Sequence, residues 1–231
     1  MSSFFRHDLR PPILSVFSLF GIAALALAAT AAHAFEECGD LANSYGPFDY
    51  RTSRDKLAIV ENVHFTQDVE ALRSGSTGQL GADLDYTLRA SPNHARALIA
   101  VANLGRKLNS DQLPGAKFPV PCYFDRAIRF ASDDPIPRLV YGTYLSRAGK
   151  NREAAEQLEL AVKLDQANAN IHYNLGLVYL DLKDYPKARE HAQRAYDLGF
   201  SLAGLRKRLE AAGQWTPTQP AERTGNAAAP R

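Results

Sequence analysis

The sequence predicts an all-α fold in which helical hairpins stack into a solenoid, and three observations carry that prediction. Apolar residues recur at intervals of three and four, the period of one helix face. Alternating runs rich in Val, Ile and Thr, the mark of half-buried strands, are missing. The chain also repeats itself at a fixed distance of 34 residues, which is a solenoid period. Composition is consistent with a packed core: of 231 residues, 45% are hydrophobic and 23% charged. The net charge of +2 lacks the electrostatic footprint of a nucleic-acid binder, and no nucleic-acid partner is expected.

The elements follow in chain order. Residues 1–34 read as a secretory signal peptide. Arg6 and Arg10 precede an apolar run from Ile13 to Ala29, and Ala32-His33-Ala34 is a small-x-small cleavage pattern. Cleavage is expected after Ala34, leaving Cys38 too far from the cut for a lipid anchor. No later stretch is long and apolar enough for a membrane span, which excludes a transporter's membrane subunit. The expected location is the periplasm of a bacterial envelope. In an oxidising compartment the two cysteines, Cys38 and Cys122, read as a disulfide; neither has metal-type spacing, and no Cys-x-x-Cys exists.

Residues 35–60 are expected to form an irregular N-terminal cap. Gly46-Pro47 stops a helix, while Tyr45, Phe48 and Tyr50 carry too much apolar surface for solvent. Those rings either pack on the body or line a ligand pocket. The helical domain is placed at 61–215. Val63 to Arg73 and Leu80 to Ala90 form a first helix pair, ended by Ser91-Pro92-Asn93. A second pairs the helix holding Leu98, Val101 and Ala102 with one starting near Cys122. Asp111 to Pro121, with Pro114, Gly115 and Pro119, is an insertion in its turn.

The clearest repeats are 135–168 and 169–202. Tyr141-Gly142-x-x-Leu145 aligns with Leu175-Gly176-x-x-Tyr179, Ala154 with Ala188, Ala161 with Ala195, and Leu164 with Leu198. Phe124, Ala127 and Phe130 stand 34 before Leu158, Ala161 and Leu164. These segments resemble tetratricopeptide repeats, most specifically from Tyr123 to Leu198. Small residues at Gly142, Gly176, Ala154, Ala161, Ala188 and Ala195 permit close approach of two helices, while Leu145, Leu158, Leu164 and Tyr179 fill the gaps. Leu202, Leu205, Leu209 and Trp215 read as a closing helix over the last apolar face. Residues 216–231 are expected to be a disordered tail.

Enzyme constellations are missing from the sequence: no Gly-x-Ser-x-Gly, no phosphate-binding Gly loop, no His-Glu-x-x-His. Neither catalysis nor a cofactor is expected. His172 is read as a core or hydrogen-bonding residue, His191 as solvated, and His94 as a helix starter. His64, Asp68 and Glu70 share one predicted helix. With the aromatic cap they form the alternative reading, an envelope enzyme or metal-binding accessory. Arg206-Lys207-Arg208 reads as a solvated face.

The resemblance implies a concave groove lined by the first helix of each hairpin, where the family receives peptides or partner helices. By helical spacing its lining is Arg96, Asn103 and Lys107, then Leu139, Thr143 and Arg147, then Asn170, Tyr173, Asn174 and Leu177. That set has cations and amides but no carboxylate, so an acidic extended protein segment suits it best. The expected role is an adaptor or scaffold.

Overall fold

The computed structural model describes residues 38–215. The proposed signal peptide and the tail expected at 216–231 lie outside the described residues. The chain divides into units Met1–Gly39 and Asp40–Arg231. Of the first, only Cys38 and Gly39 are described, and Cys38 is disulfide-bonded, as is Cys122 of the second.

The described residues hold ten helices and no strand: α1 (Arg54–His64), α2 (Gln67–Glu70), α3 (Leu80–Ala90), α4 (Ala95–Leu108), α5 (Val120–Phe130), α6 (Pro135–Arg147), α7 (Asn151–Leu164), α8 (Ala169–Asp181), α9 (Tyr185–Asp197) and α10 (Gly204–Ala211). Four hairpins follow, α1/α3, α4/α5, α6/α7 and α8/α9, with α10 against the last. Their first helices begin 41, 40 and 34 residues apart, so only the final two keep the sequence period. Extra chain sits in the turns of the first two hairpins, including the expected insertion between α4 and α5.

Matching positions do matching work. His94, Asp134 and Asn168 cap α4, α6 and α8 by accepting backbone N–H bonds from Ala97, Ile136 and Ile171. At the other end of those helices Asn109, Gly149 and Lys183 share the left-handed conformation that turns the chain into the second helix. Gly142 lies so close to α7 that a Cβ on it would sit 2.6 Å from Leu158 Cγ, and one on Gly176 would sit 2.6 Å from Leu205 Cδ2. Ala154, Ala161, Ala188 and Ala195 are fully buried, as are Leu158, Leu205 and Leu209. Hairpins two and three join through rings: Phe124 of α5 stacks on Tyr141 of α6 at 4.8 Å.

Several expectations need correction. Helix α1 starts at Arg54, inside the segment expected to be irregular to residue 60, because Leu57 and Val60 give it a narrow buried stripe. The expected helix Val63 to Arg73 is broken, since α1 ends at His64 and α2 spans four residues. Leu164 is 41% exposed and fills no gap, and Leu202, 60% exposed, precedes α10 without packing under it. Tyr45, Phe48 and Tyr50 lie on the body. Tyr50 is buried against the His94 ring at 4.0 Å, and the Phe48 N–H donates to the Ala90 carbonyl at 2.9 Å. Asn93 fastens this segment by donating to Asp49 (2.8 Å) and to buried Asp134 (3.0 Å) and accepting from the Tyr50 N–H (3.0 Å).

Candidate functional site, the concave groove

The first helices of hairpins two, three and four lie side by side, and their outward faces enclose a groove of about 720 Å³. Ile99, Ala102, Ile136, Leu139 and Val140 make an apolar floor. Asn103, Thr143, Arg147, Asn170 and Asn174 supply polar groups around it, and Arg106 joins them from α4. The insertion adds a wall at Asn109, Ser110 and Asp111. Val120 N–H holds that wall by donating to the Asp111 carbonyl at 2.8 Å, and Ser110 N–H donates to the Gly105 carbonyl at 3.0 Å.

The polar groups are partly pre-set. Asn174 Nδ2 donates to the Asn170 carbonyl and side-chain oxygen, both at 2.8 Å, which leaves Asn174 with an acceptor and Asn170 with donors for a ligand. Arg147 reaches Asn103 Oδ1 at 3.4 Å, a weak contact. Neither Arg106 nor Arg147 has a carboxylate partner among the described residues, so the groove has two cations to offer. The Asp111 carboxylate accepts the Tyr144 hydroxyl. Burial first, then that carboxylate, push the Tyr144 phenol above its ordinary range, so it remains a donor at any physiological pH.

Of the ten groove residues expected from spacing, six line this space: Asn103, Leu139, Thr143, Arg147, Asn170 and Asn174. Four do not. Arg96 is held by Glu70 of α2, its Nε donating at 2.7 Å. Lys107 donates to the Leu72 carbonyl at 3.1 Å. Tyr173 stacks on Phe200 at 4.2 Å, and Leu177 packs against the core. The absence of a carboxylate is also corrected, because Asp111 stands in the wall. Sequence spacing missed Arg106, Ile136 and the whole insertion wall. Arg106 neighbours the chosen Lys107 and was open to a heptad-style count; the wall depends on how the insertion folds.

The candidate metal group does not assemble. His64 Nδ1 lies 2.9 Å from buried Asp83, Asp68 pairs with Arg73, and Glu70 with Arg96. Among the described residues no cluster of three His, Cys, Asp or Glu side chains is placed to hold a metal ion. No helix among them is long and apolar enough to cross a membrane. His94 starts α4 by capping it, as expected. His191 is half-buried against His172, not solvated.

Residues 141–199 match the tetratricopeptide repeat family. The chain is 30% identical over 127 residues to mouse "Protein O-mannosyl-transferase TMTC3" and 32% identical over 114 residues to the human protein of that name. Those stretches are 54% and 49% of this chain but only 13% and 12% of the relatives, whose transferase activity is therefore not carried over. Among solved structures, the Sgt2 TPR domain from Aspergillus fumigatus aligns at TM-score 0.43 and 19% identity, over 58% of this chain and 91% of that one. MamA aligns at TM-score 0.48 and 16% identity, over 68% and 85%.

Proposed function

We propose, from the match of residues 141–199 to the tetratricopeptide repeat family, that the protein is an adaptor whose groove receives an extended, acidic segment of another protein. One observation carries this reading: three hairpins bring an apolar floor, amides with hydrogen-bonding capacity to spare and two arginines without a carboxylate partner among the described residues to one 720 Å³ groove. An extended segment presents alternating side chains and free backbone polar groups. The floor takes the apolar side chains, while Asn103, Asn170 and Asn174 take backbone N–H and C=O groups. Arg106 and Arg147 then take carboxylates, which an arginine fork binds in two-point fashion.

The same proposal places the protein in the periplasm, exported and cleaved after Ala34. The residue 6–34 pattern supports that location. The test is a triple variant, Asn103→Ala with Arg147→Ala and Asn174→Ala, checked for native helicity by circular dichroism. A synthetic extended peptide alternating Glu and Leu should bind wild type and lose at least tenfold in affinity for the variant. Equal affinity for both would move the binding surface elsewhere.

A further inference from the structure

His172 of α8 and His191 of α9 meet across the last hairpin, with Nδ1 atoms 2.9 Å apart and rings nearly stacked, 29° between planes. The other nitrogen of His172, Nε2, lies 3.1 Å from the Gln166 carbonyl. A carbonyl only accepts, so that nitrogen carries a hydrogen. Neutral His172 therefore presents a lone pair at Nδ1, and His191 Nδ1–H donates to it. One hydrogen occupies the bond. A first added proton goes to His191 Nε2 and leaves the bond whole. A second must go to His172 Nδ1, setting two N–H groups head to head at 2.9 Å, and the contact has to open.

We propose that this pair is a proton-operated latch on hairpin α8/α9, closed at neutral pH and opened when both rings are charged. Helix α8 also carries Asn170 and Asn174, so opening would disturb that side of the groove. This last link rests on the proposed function, whereas the latch does not.

The surroundings favour the closed form. His172 is 6% exposed. Burial, and next a charge on His172, lower the affinity of His191 for a proton; Lys187 of α9 acts in the same sense, while Glu190 of α9 and Glu159 of α7 oppose. Tyr179 of α8 covers the His191 ring at 5.6 Å and donates its hydroxyl to Glu159, which engages that carboxylate. The folded chain thus takes up a proton at His191 less readily than a free imidazole does. Stability is present above the free imidazole value of about 6.5 and is lost as pH falls below it.

The experiment follows amide hydrogen exchange of α8–α9 in the full chain at pH 7.5 and 5.0, corrected for intrinsic rates, alongside ring-nitrogen NMR titration. Wild type should lose about tenfold in α8–α9 protection, equivalent to 1.36 kcal/mol, beyond any change in α6–α7. His191→Asn, whose Nδ2 stands where Nδ1 stood and donates without titrating, should lose less than about twofold. Should that variant not fold, the wild-type titration decides. The latch predicts that the second ring proton arrives together with loss of α8–α9 protection. Two rings titrating independently, with protection unchanged, would overturn it. So would Zn²⁺ at pH 7.5 raising the melting temperature of wild type but not His191→Asn, because a metal would then occupy the place given to the proton.

Discussion

Gly142→Ala puts a methyl group where α6 packs tightly against α7. Its Cβ would lie 2.6 Å from Leu158 Cγ, 3.1 Å from Leu158 Cδ2 and 3.2 Å from the Ala154 carbonyl oxygen. Cγ is a branch atom of a side chain with no exposure, so it cannot swing aside without moving its neighbours. Overpacking of that kind costs roughly 1–3 kcal/mol. Alanine in place of glycine inside a helix recovers about 1 kcal/mol. The single variant should therefore lose about 1 kcal/mol, a modest loss that alone identifies nothing. The informative measurement is the double-mutant cycle with Leu158→Ala, itself expected to cost about 2–5 kcal/mol as a buried truncation. Leu158→Ala removes the two closest contacts and keeps the propensity gain, leaving the 3.2 Å approach to the Ala154 carbonyl oxygen. In the Leu158→Ala background, Gly142→Ala should then stabilise by up to about 1 kcal/mol, a coupling of up to about 2 kcal/mol. Urea unfolding followed by circular dichroism reads both values. A loss of the same size in both backgrounds would mean that Gly142 does not meet Leu158 and that the hairpin register is wrong.

Three further expectations test other parts of the structure. Lys183 has φ 63°, where its register partner Gly149 has 77°, so Lys183→Gly should raise stability by roughly 0.5–1 kcal/mol in thermal melts, and a fall would deny the left-handed turn. His94, buried and capping α4 through Nδ1, is pushed down to about 4, by burial above all and against the pull of Glu61. Its neutral form supplies stability that is whole above about pH 6.5 and is lost as pH falls toward 4; His94→Asn, which keeps a cap acceptor, should flatten that loss of up to about 3 kcal/mol, and an unchanged pH profile would contradict it. A bond between Cys38 and Cys122 would close a loop of about 84 residues, worth at most about 4.5 kcal/mol in the chain-entropy treatment. Mass spectrometry of unreduced protein from its native compartment should find it two hydrogens lighter than the dithiol, and two free thiols would refute the bond.

What the sequence made legible was whatever the 34-residue period governed. Gly142, Gly176 and the four alanines are small because two helices touch there, and that demand acts on residue type at fixed spacing. Helix α1 escaped notice because only Leu57 and Val60 are buried, while Ile59 and Val63 point outward and blur the stripe. In the groove, α6 and α8 kept the period and gave Leu139, Thr143, Arg147, Asn170 and Asn174. Hairpins one and two departed from it, and the misplacements of Arg96 and Lys107 fall there. Glu70 sits on a four-residue helix too short to announce itself, and it captures Arg96. Asp111 belongs to the insertion, whose path rests on backbone bonds to Val120 and Gly105 that no residue pattern encodes. Tyr173 and Leu177 have the right spacing, but the segment around Phe200 and α10 closes over that end of the array, so they serve packing there.

The proposed adaptor role requires a partner lying along the concave face. Site-specific photo-crosslinking in the native compartment tests it most directly, with the photoreactive residue at Thr143 in the groove lining in one variant and at exposed Glu156 on α7 in another. A groove-bound partner should give one discrete adduct from position 143, absent from position 156 and competed by the acidic peptide. An adduct formed at position 156 and not at 143 would contradict it.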